Sequence, residues 1–282
     1  MNLLKKFGIL LLLVSCQGRI SVNSDKAYDR YDRLTGFYAG SAEYSESGIV
    51  SQFIINNLNK TNGLLELIPS LEAGDGVVVE PDMHIVSRFY PLRSRRMMFL
   101  TPYRPVVSSA DKEFRIEARR VAFNVALMLE LAEILSRNEP QQFGVDFVFL
   151  STSNRANNKN FSSSAYREFK ENYHRPDPEL AFLLRLSPGE EVRIPIDYNS
   201  YQKSPDAVYD VWSRAYSRGW PEFDDSIEER PLDAGEDILY EVFNLVKLEN
   251  RIYNVQDPEI QQIKANFRRL ITLLMEIIDE RG

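Results

Sequence analysis

Val125-Ala126-Leu127-Met128-Leu129-Glu130-Leu131-Ala132-Glu133-Ile134-Leu135, followed by Val145-Asp146-Phe147-Val148-Phe149-Leu150, decides the fold class. In the first stretch Val121, Val125, Met128, Leu129, Ala132 and Leu135 recur at helical spacing over Ile116–Ser136. That helix is apolar around much of its circumference, as a helix packed against a sheet must be. The second stretch is a short apolar run with one charge. It reads as a strand covered on both faces, the usual state of a strand in a parallel sheet.

Outward from this pair, strand and helix signals alternate. Ile49, Val50, Phe53, Ile54 and Leu58 mark one face of an early helix, and Gly63–Ile68 and Val77–Tyr90 read as strands. In the latter, Met83, Ile85, Ser87 and Phe89 alternate with His84, Val86, Arg88 and Tyr90. Met97–Leu100 is a buried strand that stops at Thr101-Pro102. Ser163–Tyr173 reads as a surface helix, Leu180–Ser187 and Glu191–Ile196 as strands, and Pro205–Arg218 as a helix. Phe243–Leu248 is a last strand. Asp257 and Pro258 open a final helix whose buried stripe is Ile260, Ile263, Phe267, Leu270, Leu274 and Ile277. The alternation predicts one α/β unit: a three-layer αβα domain around a mixed, mostly parallel sheet, over residues 31–282.

The chain of 282 residues carries 34 basic and 41 acidic side chains, two histidines and one cysteine. A chain of this length buries roughly 75% of its unfolded surface, so its core needs no disulfide or metal staple. A net charge of −7 argues against a nucleic-acid partner. Two histidines and one cysteine leave little for a metal site built on imidazole and thiolate.

The cysteine has its own role. Lys5 and Lys6 precede the apolar run Phe7–Val14, about half of the ~20 residues a spanning helix needs, and Leu13-Val14-Ser15-Cys16 follows. This ending resembles the lipobox of bacterial lipoproteins. The resemblance implies that residues 1–15 are a signal peptide, that Cys16 carries diacylglyceryl, and that the partner is membrane lipid on a face of the cell envelope. Without residues 1–15 the chain would hold 32 basic and 41 acidic side chains, so the acyl chains, not charge, would anchor it. Residues 16–30 are polar without periodicity and are expected to form a tether.

No HExxH, CxxC, P-loop, GxGxxG or GxSxG pattern occurs. Ser109-Ala110-Asp111-Lys112 fits SxxK without companion motifs, and His84 and His174 have no patterned partner.

The order of segments from Met97 onward resembles the zinc-dependent aminopeptidases and bacterial glutaminyl cyclases. In that family a strand ends in His-x-Asp. A loop then opens a long helix of the type Val-Ala-x-Leu-Leu-Glu-Leu-Ala, and a strand of the type Val-Asp-Leu-Val-Phe-Phe leads to a Gly-Glu-Glu or Gly-Glu-Asp. Val125–Leu135 and Val145–Leu150 match the helix and strand, Ala181-Phe182-Leu183-Leu184 resembles the next strand, and Gly40-Ser41 also fits. The functional positions depart from the pattern. The family's metal-binding His and its companion Asp fall on Pro102 and Arg104, and the bridging Asp on Arg120. The catalytic Glu and the acidic ligand after it fall on Ser153 and Asn154. A further ligand Asp falls on Arg185, and the last His near Asn250. Proline and arginine offer zinc no lone pair, and serine cannot serve as the general base.

The resemblance therefore implies a degenerate member of the fold, without metal or other cofactor. Arg104, Arg120 and Arg185 are expected to meet at the carboxyl ends of the strands. There they would pair with leftover acids such as Glu113, Glu117 or Asp146, or form an anion pocket for a carboxylate, phosphate or peptide C-terminus. The alternative is an active enzyme whose cluster of Asp111, Glu113, Glu117, Glu236 and Asp237 recruits magnesium or manganese.

Overall fold

The structure, a computed structural model, describes residues 21–40, 47–69, 83–105, 111–140, 142–151, 169–173, 175, 177–189, 192–229, 236–250 and 259–280. Helices α1 (Ser24–Gly40) and α2 (Ser47–Leu58) lead into strands β1 (Leu64–Pro69), β2 (Met83–Phe89) and β3 (Arg96–Pro102). The long helix α3 (Asp111–Arg137), β4 (Gly144–Leu150), β5 (Leu180–Leu184) and β6 (Ile194–Asp197) follow. After them come α4 (Tyr198–Lys203), α5 (Pro205–Ser217), β7 (Phe223–Glu228), α6 (Glu236–Val242), β8 (Leu245–Leu248) and α7 (Ile260–Glu280).

The central sheet has the order β1-β2-β4-β3-β5-β8. β4, β3, β5 and β8 run parallel, and β2 runs against both of its neighbours. This is the expected mixed, mostly parallel sheet. β6 and β7 pair separately in a second, two-stranded sheet.

α1, α2, α3 and α7 cover one face of the central sheet. Phe99 stacks on Phe182 at 5.1 Å between ring centroids, and Phe123 on Phe267 at 4.3 Å. α3 is buried on every side from Val121 to Ala132, because the sheet lies beneath it and α1, α2 and α7 pack around it. The other face carries Val86, Met98, Val148 and Leu183 against Phe169, Tyr173 and α6. Among the described residues no helix is long and apolar enough to cross a membrane.

Several expectations need correction. Residues 24–30, expected to belong to the tether, are helical and form the start of α1. Arg30 is buried there and reaches Glu130 at 2.5 Å and Glu133 at 2.6 Å on α3. The long helix begins at Asp111 rather than Ile116, so Arg115, Arg119 and Arg120 lie in its second and third turns, away from the positive end of its dipole. Ile260 is 51% exposed, whereas Ile263, Phe267, Leu270, Leu274 and Ile277 are buried as expected. β7 and the short helices α4 and α6 were not foreseen. β7 reads FDDSIE, too acidic to suggest a strand, and it is half-exposed throughout. Asp257, Pro258, Ser109 and His174 lie outside the described residues, as do Val77–Asp82 of the long strand expectation.

Candidate functional site

β5 and β8 end side by side, with Leu184 paired to Leu248. Arg185 and Glu249 therefore leave the sheet together at its carboxyl end. One turn of α3 brings Glu117 and Arg120 to the same place, three residues apart on one helix face. α6 contributes Glu236 in its first turn, and β8 contributes Lys247.

These six side chains form a closed ring of alternating charge. Glu117 meets Arg185 at 3.4 Å through one carboxylate oxygen and Arg120 at 3.2 Å through the other. Glu236 meets Arg185 at 3.3 Å and Lys247 at 2.8 Å, again through separate oxygens. Glu249 closes the ring, reaching Lys247 at 3.2 Å and Arg120 at 3.6 Å. Glu117, Arg185, Glu236, Lys247 and Glu249 are buried, and Arg120 is nearly so. Burial alone would push the Lys247 ammonium down; Glu236 and Glu249 outweigh it and hold Lys247 above its ordinary range.

The surrounding amides hold the ring's backbone. Asn250 accepts from the Ser187 N–H at 2.6 Å and donates to the Ser187 carbonyl at 2.9 Å. Asn124 of α3 does the same for Leu186, at 3.1 and 2.9 Å. Two side-chain amides thus act as a strand surrogate for the segment after β5. On the outer edge of β8, the Ser200 hydroxyl accepts from the Lys247 N–H at 2.9 Å and that of Ser204 from the Leu245 N–H at 3.1 Å. Sheet edges need such cover. Ser200 is fixed in turn by Asp197, which also accepts from the Tyr240 hydroxyl at 2.8 Å. Burial, and then the Asp197 carboxylate, raise the Tyr240 phenol, so it stays a donor.

Most positions named from sequence can now be placed; the side chains of Asp111 and Glu113 lie outside what is described. Pro102 ends β3 opposite Leu150 and is buried. Arg120 and Arg185 come together through Glu117. Arg104 lies over Tyr103 instead, its guanidinium carbon 5.5 Å from the ring centroid. Asn250 is a backbone clamp. Ser153, Asn154 and Cys16 lie outside the described residues. Of the acids, Glu117 and Glu236 do converge, but around Arg185. Asp237 faces solvent, and Asp146 pairs with Arg88 and Arg96 nearer the opposite end of β4. The sequence reading missed Lys247 and Glu249. Two charges at i and i+2, one inside an otherwise apolar strand and one just past its end, were the available signal.

His84 is buried on β2, 5.6 Å from the Phe169 ring centroid, and its Nδ1 accepts from the Ser151 N–H at 3.2 Å. Burial lowers its pKa to about 4, so the ring is neutral. Its place is structural.

Zinc does not fit this donor set. The metal needs several converging nitrogen, sulfur or oxygen lone pairs. Pro102 and Arg185 have none to give, the Asn250 amide is used on Ser187, and every carboxylate oxygen of the ring faces a cation. Among the described residues no group of three His, Cys, Asp or Glu side chains could hold a metal ion.

No protein-family model matches the chain, and no curated protein matches it in sequence. Solved structures do. Porphyromonas gingivalis glutaminyl cyclase superposes with a TM-score of 0.71 at 17% identity, covering 91% of this chain and 99% of that one. A leucine aminopeptidase precursor from Bacteroides thetaiotaomicron gives 0.69 at 17% identity, covering 90% and 98%. A putative zinc-dependent exopeptidase from Bacteroides vulgatus gives 0.66 at 14% identity, covering 90% and 96%. The chain therefore has the fold shared by glutaminyl cyclases and zinc-dependent exopeptidases.

Proposed function

We propose that this chain is a non-catalytic, lipid-anchored binding protein built on a zinc-exopeptidase-like fold. The observation that carries the reading is the closed ring of Glu117, Arg185, Glu236, Lys247, Glu249 and Arg120. It lies where open α/β sheets keep their crevice. It is neutral as a whole, and its cations stand where a dication would have to enter. A hydrolase or cyclase needs a polarising centre and a free base at that place; here both oxygens of each carboxylate are engaged.

The ring also bears on the ligand. A carboxylate, a phosphate or a peptide C-terminus approaching Arg120 and Arg185 must displace Glu117, Glu236 or Glu249. Such an anion competes with carboxylates already in place, at the effective concentration of a folded chain. Binding elsewhere on the surface avoids that competition. Anchoring at the envelope rests on the lipobox-like ending at Cys16.

The deciding experiment is metal analysis of the purified protein, with aminopeptidase and glutaminyl cyclase assays before and after adding zinc and a chelator. The expected result is substoichiometric metal and no chelator-sensitive turnover. Stoichiometric zinc together with chelator-sensitive turnover would sink the reading. Palmitate labelling that disappears in Cys16→Ser tests the anchor separately.

A further inference from the structure

A groove of about 740 Å³ runs between α5 and the two-stranded β6–β7 sheet, lined by none of the residues of the charged ring. Its volume lies within the roughly 300–1,000 Å³ usual for ligand sites. Tyr209, Trp212 and Tyr216 line it from one stripe of α5, at helical spacings of three, four and seven residues. Trp212 forms the floor. It is 9% exposed, packs edge-on against Phe223 at 5.0 Å and donates its indole N–H to the Asp224 carbonyl at 2.9 Å. Tyr209 and Tyr216 stand up from that floor, 76% and 86% exposed, and Tyr201 of α4 adds a third ring at 44%. Asp224 and Asp225 of β7 form the facing lip.

The floor has a structural explanation and the walls do not. Trp212 and Phe223 hold α5 to β7. Tyr209 and Tyr216 cover little and leave their rings to water, as residues kept for contact do. Ring faces carry negative potential, and the exposed Asp225 carboxylate adds to it, whereas Asp224 is engaged within the chain, accepting from the Ser226 N–H at 2.9 Å. The only cation lining the groove, among the described residues, is Arg193, which the chain itself already engages. The groove is thus complementary to an ammonium or guanidinium group.

We infer that this groove binds an extended peptide segment through its lysine or arginine side chains, stacked on Tyr209 and Tyr216 and paired with Asp225. A zwitterionic lipid headgroup also offers an ammonium group. Its phosphate would meet Asp224 and Asp225, and the walls are tyrosine rather than aliphatic, so the peptide is the better match. This site is independent of the metal question, since none of its residues belongs to the ring.

The test is isothermal titration of the protein with acetylated, amidated tetralysine, with tetraglutamate and phosphatidylcholine vesicles as the other arms. Saturable binding of tetralysine is expected, weakened at least tenfold in Tyr209→Ala/Tyr216→Ala and several-fold in Asp225→Asn. Salt should weaken it further, and tetraglutamate and the vesicles should not bind. The two tyrosines are largely exposed, so circular dichroism should show the double variant folded. Absence of saturable tetralysine binding would overturn the inference, and so would a double variant that binds as tightly as the parent. Vesicle binding that the same substitutions abolish would reassign the groove to lipid.

Discussion

Two buried charge clusters sit near opposite ends of the same sheet, and they are built differently. At the carboxyl end, three carboxylates and three cations close a ring in which every charge touches two of opposite sign. Nearer the other end, the single carboxylate of Asp146 serves two guanidinium groups, Arg88 at 3.2 Å and Arg96 through Nε at 2.9 Å. Tyr173 donates to the same carboxylate at 2.9 Å. The surplus positive charge is taken up by the backbone: Arg96 donates to the carbonyls of Tyr90 at 3.0 Å and Phe89 at 3.2 Å. Tyr90 is held in the left-handed region, at φ 52°, as it presents that carbonyl. The Asp146 cluster ties the β2–β3 turn to β4. The ring ties four separate elements around a place where the fold would otherwise open. The first therefore has one point of failure, and the second has none.

The largest effect should come from Asp146→Ala. It leaves two buried cations without their carboxylate and should cost about 3–5 kcal/mol in urea unfolding. A loss under 1 kcal/mol would show that the carbonyls alone suffice.

His84 probes a buried group that lacks a charged partner. Its folded pKa of about 4 lies below the ordinary value, so the unfolded chain binds the extra proton between roughly pH 6.5 and 4. Stability is full above that window and falls as the pH drops through it. Relative to His84→Leu, the parent should lose about 3 kcal/mol between pH 6.5 and 4. Parallel stability curves for the two proteins would contradict that assignment.

Glu236→Ala should cost less than Asp146→Ala, roughly 2 kcal/mol, although Glu236 is fully buried. Arg185 keeps Glu117 and Lys247 keeps Glu249, so neither cation is stranded. A cost above that of Asp146→Ala would mean that the ring does not share its load. Arg95 and Glu179 supply the exposed reference: their pair at 2.9 Å is nearly half open to water, and Arg95→Ala should leave the urea midpoint where it is in the parent.

Much of the scaffold was legible because its signal is local. Val125–Leu135 could only be a helix with several buried sides, and Val145–Leu150 only a strand covered on both faces. The convergence of Arg120 and Arg185 was legible too, since both sit on segments that the α/β layering brings to the carboxyl end of the sheet. The elements missed were those whose residues argue against them. FDDSIE pairs with β6 as β7, and Ser24–Arg30 joins α1, where Ala27 is buried and Glu130 and Glu133 receive Arg30.

Periodicity belongs to each segment of the chain, so the α/β layering could be read from the residues alone. The expected meeting of Arg104, Arg120 and Arg185 with Glu113, Glu117 or Asp146 holds for Arg120, Arg185 and Glu117, while Glu236 was expected only in the alternative carboxylate cluster. Only the tertiary structure decided that Lys247 and Glu249 complete them into a neutral ring, and that Asp146 is spent elsewhere. The physical reason is range. Burying a charge is costly enough that its partner must be within contact, and that partner can lie a hundred residues away in the chain.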